Sequence, residues 1–148
     1  MDEPRRRLAP LLAVPAALAG AVGLLVWLTE PGAGPAPVAW DREACGHCRM
    51  HVGDRHFAAQ LVPAAGEPVN FDDPGCLFLY LDERASEPAT LYFRHLTEDR
   101  WLARGEVGFL VGVERTPMGF GVAATAAGPG TLPLGEARAW LRAQRGAQ

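Results

Sequence analysis

The chain has 148 residues, with 14 basic against 17 acidic side chains and a net charge of −3. That length suits one domain with a small core, and a balance without any basic stripe excludes nucleic acid as a partner. Three cysteines are an odd number, so a pure disulfide framework would leave one thiol over.

Leu8 to Leu28 carries no charge over 21 residues, about 31 Å as a helix and so enough to cross the hydrocarbon core of a bilayer. Arg5, Arg6 and Arg7 precede it, while Glu30 and a neutral tract follow. By the positive-inside rule the N-terminus faces the cytoplasm and everything from Pro31 lies outside. The expectation for 1–29 is a single membrane anchor, with a cleaved signal segment as the alternative. The protein is then placed in the cytoplasmic membrane, single-pass, its C-terminal domain on the periplasmic or extracellular side. Residues 30–41 contain EPGAGPAPVAW, which prolines and glycines keep out of helix, and read as a linker. The folded domain is 42–148.

Inside that domain His56 to Val62 reads as a strand, Pro63 to Gly66 as a turn, and Pro68 to Phe71 as a second strand of a hairpin. DDPGCLFLYLDER follows, in which Asp73 is a natural N-cap, Pro74 suits the first helical position, and Leu77, Phe78, Tyr80 and Leu81 make an apolar face. Ala89 to His95 returns as a strand. The order then half repeats: Trp101 to Ala103 and Val107 to Val113 as strand material, a break at Thr116-Pro117, a strand over 120–126, and an amphipathic helix over 134–143. The fold class expected is α+β, two small strand-strand-helix-strand units with the second truncated, behind the N-terminal transmembrane helix.

The chemistry concentrates in ACGHCRMHV, residues 44–52, where Cys45, His47, Cys48, Met50 and His51 fall within seven positions. A thioredoxin-type C-x-x-C ends a buried strand and opens a long helix whose N-terminus lowers the nucleophile's pKa. Here a Pro/Gly linker precedes the motif and the Gly53-Asp54 turn follows it. Thiolate with thioether is instead a soft donor set that selects Cu(I) over hard divalent ions. Zinc would take four Cys or His ligands and has little use for methionine. A third reading keeps Cys45 and Cys48 as a short-range disulfide staple, or as half of a zinc site completed by Cys76 or a histidine.

The residues C-G-H-C-R-M-H-V resemble the C-x-x-C-G-M-x-V signature of the NosL family, nitrous oxide reductase accessory proteins that act as copper chaperones. Three further blocks follow in that family's order: NFDDPGCLFLYL at 70–81, RWLARGEVGFLVG at 100–112 and TPMGFGVAA at 116–124. The likeness covers about 43–142. It implies a NosL-like copper-binding domain over 42–148 that holds Cu(I) through Cys48 and Met50. It also implies a copper-accepting partner, an ABC-transporter-type maturation complex and through it nitrous oxide reductase. Arg49 departs from the family's glycine, no lipidated cysteine precedes Cys45, the last strand is missing, and Cys76 is extra.

On these grounds Cys48 is the thiolate ligand and Met50 the thioether. The third donor is sought, in falling order, among His51, Met118, His47 and Cys45. Asp73 is read as a helix cap and Asp72 as a supporting or docking charge, because carboxylates are poor ligands for Cu(I). Cys76, third in its predicted helix, is assigned to packing. No catalytic triad, phosphate loop or paired-carboxylate arrangement stands out, so the expectation is a membrane-tethered exported Cu(I) metallochaperone and not an enzyme. A thiol-disulfide oxidoreductase using the C-x-x-C at 45–48 is the alternative.

Overall fold

The computed structural model describes residues 34–84 and 89–147. Strands β1 (Ala59–Pro63) and β2 (Val69–Phe71) form the expected hairpin, with Gln60 opposite Asn70. Helix α1 (Pro74–Glu83) begins at the predicted cap: Asp73 Oδ1 accepts the Gly75 N–H at 2.7 Å, and Pro74 occupies the first turn, where its missing donor costs nothing. Strand β3 (Ala89–Arg94) then returns antiparallel to β1 and places Leu91 opposite Leu61.

Here the structure departs from the expected pair of repeating units. Strand β4 (Trp101–Ala103) does not open a second unit; it pairs with β3, Leu102 opposite Phe93, and completes a four-stranded antiparallel sheet of order β2-β1-β3-β4. Only β5 (Val107–Val111) and β6 (Val122–Ala126) are left for the other sheet, a two-stranded ribbon followed by α2 (Leu134–Gly146). The reason is burial: pairing in this register sends Leu102, fully buried, into the core beside Phe93. The expected transmembrane helix is also corrected. Among the described residues no helix is long and apolar enough to cross a membrane, and residues 8–28, on which that expectation rested, lie outside the described residues.

Three phenylalanines join the layers. Phe78 from α1, Phe93 from β3 and Phe109 from β5 are all fully buried and meet edge to face, with centroids 6.3, 5.2 and 4.9 Å apart for the pairs 78–93, 78–109 and 93–109. This geometry suits the ring quadrupoles and adds to the gain from burial. The sheets are also tied by backbone, since the Leu96 N–H after β3 donates to the Ala124 carbonyl of β6 at 2.8 Å.

The helices are clamped by charge. Asp82 near the end of α1 accepts from Arg142 of α2 at 2.7 Å through both oxygens and also binds Arg138. Arg142 first, then Arg138, holds the Asp82 carboxyl down at about 2. This folded value lies below the unfolded one of about 3.9, so the stabilisation is present above roughly pH 4 and is lost as the pH falls toward 2. Asp82→Asn is expected to lower unfolding free energy by about 1 kcal/mol at neutral pH, a figure discounted for the exposure of Arg142. Urea titrations at pH 7 and pH 2.5 check this, because the difference between variant and parent should shrink at the lower pH.

Candidate metal centre

The motif at 44–52 folds as a small closed loop, not as the start of a helix. Ala44 and His51 bridge antiparallel, the Cys45 N–H donates to the Met50 carbonyl at 2.7 Å, and the Arg49 N–H returns to the Cys45 carbonyl at 3.1 Å. Val52, fully buried, anchors the exit through its N–H to Glu43 at 2.9 Å. No helix follows Cys48 directly, so the C-x-x-C lacks the setting that a thioredoxin-type pair uses to activate its nucleophile.

Gly46 lets this loop lie against β2. Its N–H donates to the Asn70 carbonyl at 2.8 Å, and a Cβ there would come within 2.4 Å of Val69 Cγ1 and 3.0 Å of the Phe71 ring. Asn70 helps from the other side, taking a hydrogen bond from Gln60 and giving one to Glu43, at 2.7 and 3.0 Å. Asp72 Oδ1 accepts the N–H groups of Gly53 and Asp54 at 2.8 and 3.3 Å, pinning the turn behind the loop. The block NFDDPGC is therefore the surface on which the cysteine loop is built.

That docking brings a third thiol to the motif. The sulfur atoms of Cys45, Cys48 and Cys76 all lie within 4.8 Å of one another, a group that could hold a metal ion. Cys45 and Cys76 are fully buried and Cys48 is partly exposed. Cys76 stands at the third position of α1, where the predicted role was packing; it does pack, but its sulfur faces the loop thiols. The sequence signals for this were the odd cysteine and the capped helix start before it, and what joins them to the loop is a contact between distant segments.

The three sulfurs differ electrostatically. The Cys76 thiol donates to the Cys45 sulfur, and the backbone N–H groups of Asp72, His47 and Cys48 add to it, so Cys45 is held below the ordinary thiol range despite its burial. The same donation, and then burial, push Cys76 up. Cys48 is pushed up by partial burial, opposed by a backbone donor at Met50 and reinforced by the neighbouring Cys45.

Among the predicted ligands, Cys48 and Cys45 enter the group and the two histidines do not. His47 Nδ1 faces Glu83 at 3.5 Å, and His51 is exposed. Met50 is 58% exposed, the sole large hydrophobic side chain so placed among the described residues. Met118 lies on the loop after β5. Its N–H donates to Asp73 Oδ2 at 3.2 Å, and its side chain lines a cavity with Phe120, Leu141 and Arg145. Asp73 is therefore both helix cap and loop tie, and burial raises its carboxyl to about 6.

Compared with family models, curated proteins and solved structures, the chain matches none. Arg49 adopts φ +68°, the left-handed region that glycine enters freely and other residues enter at roughly 1 kcal/mol or more. Arg49→Gly is expected to raise stability by up to about 1 kcal/mol, read as a higher urea midpoint with unchanged slope. A lower midpoint would mean that the arginine side chain makes contacts that outweigh the strain.

Proposed function

We propose that this protein is an exported Cu(I) carrier of NosL type that hands copper to an acceptor protein. The observation that carries the reading is the triangle of three sulfurs, two buried and one partly exposed. Soft thiolates favour Cu(I), which is content with two or three donors. A structural zinc site closes with four protein ligands, and the described residues add no histidine or carboxylate to this group. Four ordered motif blocks support the same reading, and they make a maturation complex for nitrous oxide reductase the first acceptor to test. Export is supported by Arg5 to Arg7 ahead of the uncharged stretch 8–28.

No chemical step is required of such a carrier. Copper stays Cu(I), each thiol that is protonated before it binds releases its proton to water, and the acceptor's donors replace the carrier's one at a time. A site with one accessible ligand suits that exchange, because a fully enclosed ion could not be reached. The reduced full chain, titrated with Cu(I) against a chromogenic chelator, should retain one ion per chain. Failure to compete with the chelator, or an equal retention of zinc after dialysis, would refute the proposal.

A further inference from the structure

The three thiols, all free in this structure, differ in what reaches them. Cys45 and Cys76 have no exposed surface, while Cys48 is partly exposed. A solute that reacts with thiols therefore meets Cys48 first, and two further sulfurs wait within 4.8 Å of it. Of these, Cys45 shares a turn with Cys48: residues 46–48 form a turn closed by the Arg49 N–H on the Cys45 carbonyl at 3.1 Å. One helical turn sets Cα atoms three residues apart at about 5 Å, inside the roughly 4.4–6.8 Å that a disulfide spans. Cys76 stands instead on a packed element. Asp73 caps its helix through the Gly75 N–H, and a Cβ on Gly75 would come within 2.5 Å of the Phe120 ring.

We infer that the triangle is gated by thiol-disulfide exchange: a small oxidising disulfide closes a Cys45–Cys48 bond that prevents copper loading, and a dithiol reductant must reopen it before the ion binds. This rests on the copper-carrier reading and adds its regulation. The oxidation is two exchanges in sequence. The Cys48 sulfur attacks the disulfide RSSR, forming the mixed disulfide Cys48–S–SR and releasing one RSH. The Cys45 sulfur then attacks the Cys48 sulfur, closing the Cys45–Cys48 bond and releasing the second RSH. Two electrons pass from the protein to RSSR, and the two thiol protons leave on the two RSH products. The second exchange needs no solvent access to Cys45, so its burial is no obstacle. In the reverse direction a dithiol returns both thiols and ends as its own disulfide.

Closing the bond takes two of the three thiolate donors away and leaves Cys76 alone and buried. Bound copper acts the other way, because a ligated Cys48 sulfur is not free to attack RSSR. The loaded carrier resists oxidation and the empty one succumbs to it. Exported compartments are oxidising, so reduction has to precede loading, and the class of reaction that supplies the loadable carrier is dithiol-disulfide exchange with a reducing partner.

The test counts thiols first and copper second, in the full chain. The reduced, metal-free protein is incubated with oxidised glutathione, and its free thiols are counted by maleimide mass shift after denaturation. One of the three should remain, and non-reducing digestion should place the bond at Cys45–Cys48. Losing two donors should weaken Cu(I) retention by about a hundredfold or more at roughly tenfold each, and dithiothreitol should restore it. The copper-loaded chain should keep all three thiols. Cys45→Ala should stop at a glutathione adduct on Cys48, while Cys76→Ala should close the same bond as the parent. Three free thiols in the incubated parent, a lasting glutathione adduct on it, a bond that includes Cys76, or undiminished copper retention in the oxidised chain overturns the gate and leaves copper carriage standing. Absence of copper binding in the reduced chain overturns carriage, and the gate with it, even where the disulfide forms.

Discussion

Replacing Cys45, Cys48 and Cys76 together by alanine should abolish retention of Cu(I) against a competing chelator while the chain stays folded. The three sulfurs within 4.8 Å are the convergent soft donors of the described residues, and no nearby histidine or carboxylate joins them. Each lost donor is expected to cost at least about tenfold in affinity. Three together amount to on the order of a thousandfold or more, about 4 kcal/mol. Thermal unfolding supplies an independent reading. An ion that binds only the folded state stabilises it by about 2.7 kcal/mol at a hundred times its dissociation constant. Copper should therefore raise the melting temperature of the parent and leave that of the triple variant unmoved. A copper-dependent rise that survives in the variant would place the ion elsewhere, with Met50, His51 and Met118 the first residues to test.

The second large effect lies in the core. Phe109→Ala should destabilise the domain by about 3–5 kcal/mol, because Phe109 is fully buried and its ring meets both Phe78 and Phe93. The loss reaches beyond one residue's burial. Phe109 also pairs by backbone with Leu132, through N–H to carbonyl bonds of 2.9 Å in each direction, so β5 sits between β6 and the segment leading to α2. Against a typical stability of about 5–15 kcal/mol this is a fifth or more of the total. Urea unfolding should show a much lower midpoint at an unchanged slope. A shift under about 1 kcal/mol would mean that the ribbon and the sheet are not held together by this aromatic contact.

Several features were legible from local chemistry. Asp73 and Pro74 marked the start of α1 because capping and proline preference act over three or four residues. The hairpin of β1 and β2 followed from two apolar runs around a Pro/Gly turn. Strand β4 was assigned to the wrong sheet, since a three-residue strand carries no mark of its partner. Its pairing is set by Leu102 finding the buried space beside Phe93.

The site divides along the same line. A cluster of soft donors at 45–51, with a turn where a helix would be needed, was evident in the sequence and pointed to metal before redox chemistry. The donor set was not. Cys76 lies 28 positions beyond Cys48 (76 − 48), and it joins the group only because Gly46 lets the loop rest on β2 while Asp72 and Asp73 fix the turn and the helix start against it. The sequence by itself determined the softness of the ligands, since that is a property of residue type. The tertiary structure decided which sulfurs converge and which one meets water, because those depend on packing and hydrogen bonds between segments far apart in the chain.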